Sequence, residues 1–335
     1  MSKTVGLAFI GCGEFARAMH LPLIKSNQKF DILACMDLCL ETAKRFADEA
    51  GGYATNEIDE ILSDPVIDAV LISTRHDSHS ELTIKAANAG KHVLCEKPMA
   101  LSSEECKHIA QVVQKANVVY TVGYNRGMAP MIEKAKAHLK ELDGNKLMIY
   151  HRIQAPFPED SWTHDPKIGG GRFVGEGCHI FDLLCELVPS PPMSVYASGG
   201  TFLNPTKVHI ADSAIVTITF ADGSVGCTLI NSAGTPAFPK ESTEIYCNNR
   251  AIHISDFRHM ECYGFDENKK VIISYEQTDK GHKAEIDRFA NAILDGTPTP
   301  NGLVQAARAA IISYKVLESL ASGQPIEIKT SEYEF

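Results

Sequence analysis

The sequence predicts two domains of different class: an α/β domain on a parallel sheet, then an α+β domain on a mostly antiparallel sheet. Three observations predict it. Up to residue 123, short apolar runs alternate with amphipathic helical stretches, the pattern of a parallel sheet covered on both faces. Further along, the runs lengthen and alternate apolar with polar residues, which suits strands with one face toward solvent. Asp222-Gly223 then stands between two such runs as a hairpin turn signal. The expected boundaries are 1–123 and 124–335, with the C-terminal helices able to pack back on the first domain.

In chain order, strands are expected at Val5 to Ile10, Ile32 to Met36, Ala69 to Ser73, His92 to Cys95 and Val118 to Val122. Helices fall between them, over Glu14 to Ser26, Leu40 to Ala50, Ser80 to Ala89 and Ser103 to Ala116. Ser102-x-x-Glu105 reads as a capping box for the last of these, Ser78-x-x-Glu81 as another for the helix before it, and Gly90 as that helix's stop. A linking helix from Ala129 to Leu142 leads into the second half. There the strands run Lys146 to Ile153, Ser194 to Gly199, Ala214 to Phe220, Ser224 to Ile230, Glu244 to Cys247 and Val271 to Tyr275. A loop from Ala155 to Gly171 and a helix from Cys178 to Leu187 interrupt them, and helices from Lys283 to Leu294 and Leu303 to Ala321 close the chain.

The 335 residues carry 32 Lys and Arg against 42 Asp and Glu, a net charge of −10. Nucleic acid and anionic membrane surfaces both reward clustered positive charge, so a small-molecule partner is expected instead. No apolar run approaches the roughly 20 residues of a membrane helix, and Lys3 leads directly into the first strand without a leader pattern, so a cytoplasmic protein is expected. The ten cysteines include no Cys-x-x-Cys and no zinc-finger spacing, which points to reduced thiols and no metal. His76, Asp77 and His79 are the tightest group of metal-type side chains, but they coincide with the capping signal at Ser78.

Gly11-Cys12-Gly13-Glu14-Phe15-Ala16 follows the first strand and opens a helix, the context in which G-x-G-x-x-A binds a dinucleotide pyrophosphate. Asp37 ends the second strand, 26 positions after Gly11, where a carboxylate accepts from the adenosine ribose hydroxyls. It would repel a 2′-phosphate, and Leu38 brings no compensating charge, so NAD is expected over NADP. Glu96-Lys97-Pro98 follows the strand ending at Cys95 and puts one lysine at the carboxyl end of that sheet, although the tripeptide alone equally suits a surface turn. Gly169-Gly170-Gly171-Arg172 leads to Glu176, His179 and Asp182 at a helix start, three residues apart and so on one helical face. A neutral imidazole there suits proton transfer from a hydroxyl, with a carboxylate to orient it; a core histidine at a helix start is the alternative.

Together these residues resemble the glucose-fructose oxidoreductase and inositol 2-dehydrogenase (Gfo/Idh/MocA) family over essentially the whole chain. The glycine turn, Asp37, Glu96-Lys97-Pro98, Gly123-Tyr124-Asn125-Arg126 and Gly177-x-His179-x-x-Asp182 carry the resemblance, with Phe289-x-x-Ala292-Ile293 and Ser322-Gly323. It implies an N-terminal Rossmann domain and a C-terminal open-faced sheet that forms homodimers or homotetramers. It implies that Lys97 polarises the reacting hydroxyl, that His179 is the acid or base, and that Glu96 lies near the nicotinamide ribose. Glu14, Phe15, Ser73, Thr74, His76, His79 and Asn125 are expected in the cofactor site, although Arg75-His76 replaces the Pro-Asn that often follows the threonine. Many members have an aspartate where this chain has Gly175; Glu176 is its expected substitute, one step along the backbone. Tyr124, Arg126, Trp162, His164, Asp165 and Arg172 are the expected substrate contacts, with Trp162 also readable as ordinary packing.

The activity these residues imply is NAD-dependent hydride transfer at a ring hydroxyl of a sugar, sugar derivative or inositol. A second reading adds Glu176 as base for elimination after transient oxidation at C3, giving redox-neutral glycoside cleavage. A third is a cofactor-bound sensor without chemistry.

Overall fold

The computed structural model describes residues 4–142, 144–266 and 269–335. The chain forms two compact units: the first comprises residues up to 124 with 282–307 and 335, and the second 125–281 with 308–334.

The first unit begins with β1 (Val5–Ile10) and a π-helical turn, Ala16–His20, that runs into α1 (Leu21–Lys25). It continues through β2 (Phe30–Met36), α2 (Leu40–Ala50), β3 (Tyr53–Thr55), α3 (Ile58–Ser63), β4 (Ala69–Ile72), α4 (His79–Asn88), β5 (His92–Cys95), α5 (Ser103–Ala116) and β6 (Tyr120–Val122). The six strands are parallel in the order β3-β2-β1-β4-β5-β6, so the order reverses between β1 and β4. Ligands of such sheets bind at the carboxyl ends beside that reversal, where Gly11, Asp37, Ser73 and Glu96 all fall. Every residue of β1 and β4 is buried, as expected of strands covered on both faces. The helix His282–Asp295 shares this core: Ile286, Phe289 and Ala290 pack with Val5, Leu7, Phe9 and Leu94. Asn27 donates to Asp287 at 2.8 Å on the same side.

Two local expectations need correction. The Tyr53–Thr55 strand and the Ile58–Ser63 helix were not expected, being too short for a periodic signal. Ser102 caps α5 by accepting from Glu105 N–H at 3.2 Å, but Ser78 caps nothing. A 3₁₀ turn, His76–Ser78, runs directly into α4 and holds Ser78 in helical backbone, so its hydroxyl turns back to the Arg75 carbonyl at 2.7 Å.

The second unit carries α6 (Pro130–Lys140), β7 (Met148–Gln154), α7 (Cys178–Leu187), β8 (Pro192–Gly200), β9 (Ser213–Phe220), β10 (Val225–Asn231), β11 (Glu241–Cys247), β12 (Arg250–Ser255), β13 (His259–Asp266) and β14 (Lys269–Ser274). After α8, the helix His282–Asp295 above, come α9 (Leu303–Ser322) and β15 (Ile326–Glu327). The sheet order is β14-β13-β12-β11-β7-β10-β9-β8-β15, antiparallel throughout except for β7 beside β10. Asp222-Gly223 makes the β9–β10 hairpin turn, with Gly223 at φ +86°. Burial alternates along β9 and β10, so one face is covered and the other is open. On the covered face Gly226 of β10 admits Leu184 of α7, and Gly177 admits Ile230; a Cβ on either would lie 3.1 Å from the neighbouring methyl. Among the described residues no helix is long and apolar enough to cross a membrane.

Candidate functional site

At the end of β1 the chain turns at Gly11, whose φ of +93° favours glycine and whose N–H donates to the Met36 carbonyl at 2.8 Å. A Cβ on Gly11 would lie 2.4 Å from the Ser73 carbonyl oxygen, so the tight turn needs glycine for the protein's own packing. Gly13 differs: a Cβ there would meet nothing within 4 Å. Asp37 ties this turn down, one carboxylate oxygen accepting from Cys12 N–H at 3.0 Å and the other from Cys39 N–H at 2.9 Å. Each oxygen keeps capacity for a further donor such as a ribose hydroxyl. Glu14 is exposed and pairs with Arg17 at 3.7 Å, and Phe15 is half exposed with its ring edge-on to His20 at 5.6 Å. An open glycine turn at a helix start, with a carboxylate at the end of the neighbouring strand, fits a nicotinamide dinucleotide.

Beyond β5, Glu96 is buried and hydrogen-bonded to His20 at 2.7 Å. Its other oxygen accepts from Lys97 N–H at 3.2 Å. Lys97 itself is half-buried, and the Lys97-Pro98 bond is cis. His79, fully buried, donates Nδ1–H to the Pro98 carbonyl at 2.8 Å, while Nε2 lies 3.3 Å from the Thr74 carbonyl; burial holds the imidazole below its usual range. His79 thus fixes the backbone just after the Glu96-Lys97 turn, at Pro98. His76 is buried with its ring 5.7 Å from that of His79, and Thr74 shares a 2.7 Å hydroxyl contact with Ser78. The Tyr124 carbonyl accepts from Asn301 at 2.7 Å.

In the second unit the triple glycine opens one continuous helical segment, with Phe173–Gly177 as a π turn before α7. π turns of this kind recur at functional sites. His179 and Asp182 are buried on α7, and Glu176, in the π turn, is partly buried. Arg126 is enclosed: Nε donates to Glu241 at 2.8 Å, and Nη2 donates to Glu241 and to Glu176, each at 3.1 Å. Lys280 also donates to Glu241. Burial opposes charge on both Arg126 and Glu241, yet their attraction holds the arginine above and the carboxyl far below the ordinary range. Asn125 donates to the Lys280 carbonyl at 2.7 Å.

The glycines here serve the protein's own loop. A Cβ on Gly169 would lie 2.2 Å from Thr163 Cα, and one on Gly171 would lie 2.6 Å from Ile210 Cδ1. The Asp165 carbonyl accepts from Gly169 and Gly170 N–H, and its side chain accepts from Lys167 N–H at 2.8 Å. His164 is held to the Pro158 carbonyl at 3.0 Å and stands edge-on to Phe157, whose ring Arg172 covers at 4.4 Å. Trp162, in the short turn Trp162–His164, is 36% exposed.

Sequence reasoning missed His20 and Glu241. Their partners lie 76 and 115 positions away, and neither sits in a local pattern that marks it.

The N-terminal part, residues 5–124, matches the model of the oxidoreductase family with an NAD-binding Rossmann fold, and residues 143–253 match the GFO/IDH/MocA C-terminal domain. The chain is 27% identical to scyllo-inositol 2-dehydrogenase (NAD(+)) of Bacillus subtilis, over 98% of this chain and 97% of that one. In structure it resembles levoglucosan dehydrogenase in complex with NADH and levoglucosan, with a TM-score of 0.87 and 21% identity over 97% of this chain and 100% of that one. It also resembles a protein described as a putative NADPH-dependent oxidoreductase from Desulfitobacterium hafniense, with a TM-score of 0.88 and 19% identity over 98% of each chain. With residues 5–124 and 143–253 matched and the glycine turn in place on a six-stranded parallel sheet, the chain belongs to the GFO/IDH/MocA family of oxidoreductases.

Proposed function

We propose that the protein oxidises a ring hydroxyl of a sugar, sugar derivative or inositol with NAD, or runs the same reaction in reverse. The observation that carries this reading is the Gly11-Cys12-Gly13 turn, tied to Asp37 and open at Gly13, in a chain of an oxidoreductase family. Asp37 favours NAD over NADP, because its carboxylate would repel a 2′-phosphate and the exposed Leu38 beside it offers no cation. The bound nicotinamide supplies the hydride acceptor or donor. Lys97 holds the reacting hydroxyl and stabilises the charge that grows on its oxygen. His179 takes the hydroxyl proton as a neutral imidazole. Glu96, fixed by His20, sets the turn from which Lys97 projects.

Glu176 is already engaged by Arg126 at 3.1 Å, which favours oxidation over the glycoside-cleaving alternative that needs it as a free base. The open face of the second sheet carries Met148, Ile215, Tyr246 and Ile272 about half exposed, which supports a homodimer or homotetramer built on that face. Ten free cysteines support a reducing, cytoplasmic location.

The test is incubation of the protein and NAD with free sugars, inositols and aryl glycosides, recording reduced nicotinamide and released aglycone together, with NADP in parallel. Reduced nicotinamide is expected to accumulate in step with substrate loss, faster with NAD. Aglycone release without it would replace this reading by redox-neutral cleavage, and silence across the panel would leave a cofactor-bound sensor.

A further inference from the structure

We infer that Arg172 forms a subsite for a carboxylate, so that the substrate is an acidic sugar of the hexuronate type; this rests on the sugar-oxidation reading above. Arg172 is only 6% exposed. Its guanidinium carbon lies over the Phe157 ring, 4.4 Å from the ring centre, a cation–π contact. Nε is sealed from solvent with no hydrogen-bond partner among the described residues. Nor does Arg172 enter any ion pair among the described residues, because the nearby carboxylates are engaged elsewhere. Glu176 is held by Arg126, and Glu241 by Arg126 and Lys280. Asp212 accepts from Phe202 N–H, Leu203 N–H and the Ser213 hydroxyl.

The buried ion pairs near this point close without Arg172: Arg126 pairs with Glu176 and Glu241, and Lys280 with Glu241. Burial pulls Arg172 below its ordinary range. A buried guanidinium without an ion pair is unfavourable unless an anion meets it. A single guanidinium without an ion pair matches one carboxylate, whereas a phosphoryl group with its roughly −1.5 to −2 would overshoot. The planar fork of arginine also matches a carboxylate bidentately. Arg172 begins the helical segment that carries His179 seven residues on, about 10 Å along the axis at ~1.5 Å per residue, a span that one sugar ring with its substituents bridges.

The experiment compares D-glucuronate, its methyl ester, D-glucose and glucose 6-phosphate with the NAD-loaded wild-type protein, by calorimetric binding and by nicotinamide reduction. The ester keeps the shape and removes the charge. Glucuronate is expected to bind at least about tenfold more tightly than the ester, and Arg172→Gln to erase that difference, with Arg172→Lys retaining part of it. Equal affinity for acid and ester in the wild type would overturn the subsite without needing any variant to fold, as would tightest binding of the phosphate. Arg172-dependent glucuronate binding with no nicotinamide reduction would keep the subsite and remove the oxidation reading. Oxidation of glucose with no preference for the acid would do the reverse.

Discussion

His20 Nε2 lies 2.7 Å from Glu96 Oε1, and both side chains are buried in the first unit. Burial alone would raise the Glu96 carboxyl, but the hydrogen bond and charge of His20, with Lys97 beside it, hold it down at about 2. An ionised carboxylate only accepts, so Nε2 carries the proton in this pair. A folded-state value below the unfolded one gives stability that is complete above the unfolded pKa and is lost as pH falls through the folded value. From about 4.3 to about 2 that is worth about 3 kcal/mol. Glu96→Gln should therefore flatten the fall in stability between about pH 4.5 and 2, read by urea unfolding at stepped pH. Equal slopes for wild type and variant would show that Glu96 is not held down by its partners.

The two glycines of the first turn should separate packing from ligand approach. Gly11→Ala places a Cβ 2.4 Å from the Ser73 carbonyl at a φ of +93°, and is expected to cost about 2–4 kcal/mol. Gly13→Ala meets no protein atom within 4 Å, so its thermal midpoint should match wild type while NAD binds at least about tenfold more weakly. Unchanged NAD affinity in Gly13→Ala would remove this turn from the cofactor site.

The difference between these two glycines was not legible in the sequence, because it depends on β4 passing beneath Gly11. The buried strands were legible: β1 and β5 fall where continuous apolar runs place them. The strands β12 and β13 were not, since their open face carries His253, His259 and Glu261 and dilutes the apolar signal. One cue went unread. Asn248 and Asn249 both have positive φ and close the β11–β12 hairpin, as asparagine does in tight strand turns. The charge network around Glu241 had no cue, because Lys240-Glu241 at a strand start looks like any solvated pair until Arg126 and Lys280 are folded onto it.

Lys97→Met keeps most of the stem and removes the ammonium. If Lys97 holds the reacting hydroxyl, turnover should fall by about 10²–10⁴ while the affinity for NAD moves by less than about threefold. Steady-state rates and a fluorescence titration with NAD measure the two quantities separately. A variant with near wild-type turnover would take the hydroxyl away from Lys97.

Glu241 should dominate the stability of the second unit's polar cluster. Its carboxylate is 1% exposed and accepts twice from Arg126 and once from Lys280, so Glu241→Ala leaves the buried Arg126 with Glu176 alone and takes from Lys280 its ion-pair partner. Removing one partner of a buried ion pair costs about 3–5 kcal/mol, whereas replacing a whole pair by apolar groups is often neutral. Glu176→Gln loses one hydrogen bond at a partly exposed position, and should cost only about 1 kcal/mol. The pair Arg126→Met with Glu241→Leu should recover part of the loss seen in Glu241→Ala, because it no longer buries a guanidinium that has lost its main partner. Urea midpoints for the three proteins decide the matter: a Glu241→Ala midpoint equal to wild type would mean that the attraction within the cluster only offsets the cost of burying its charges.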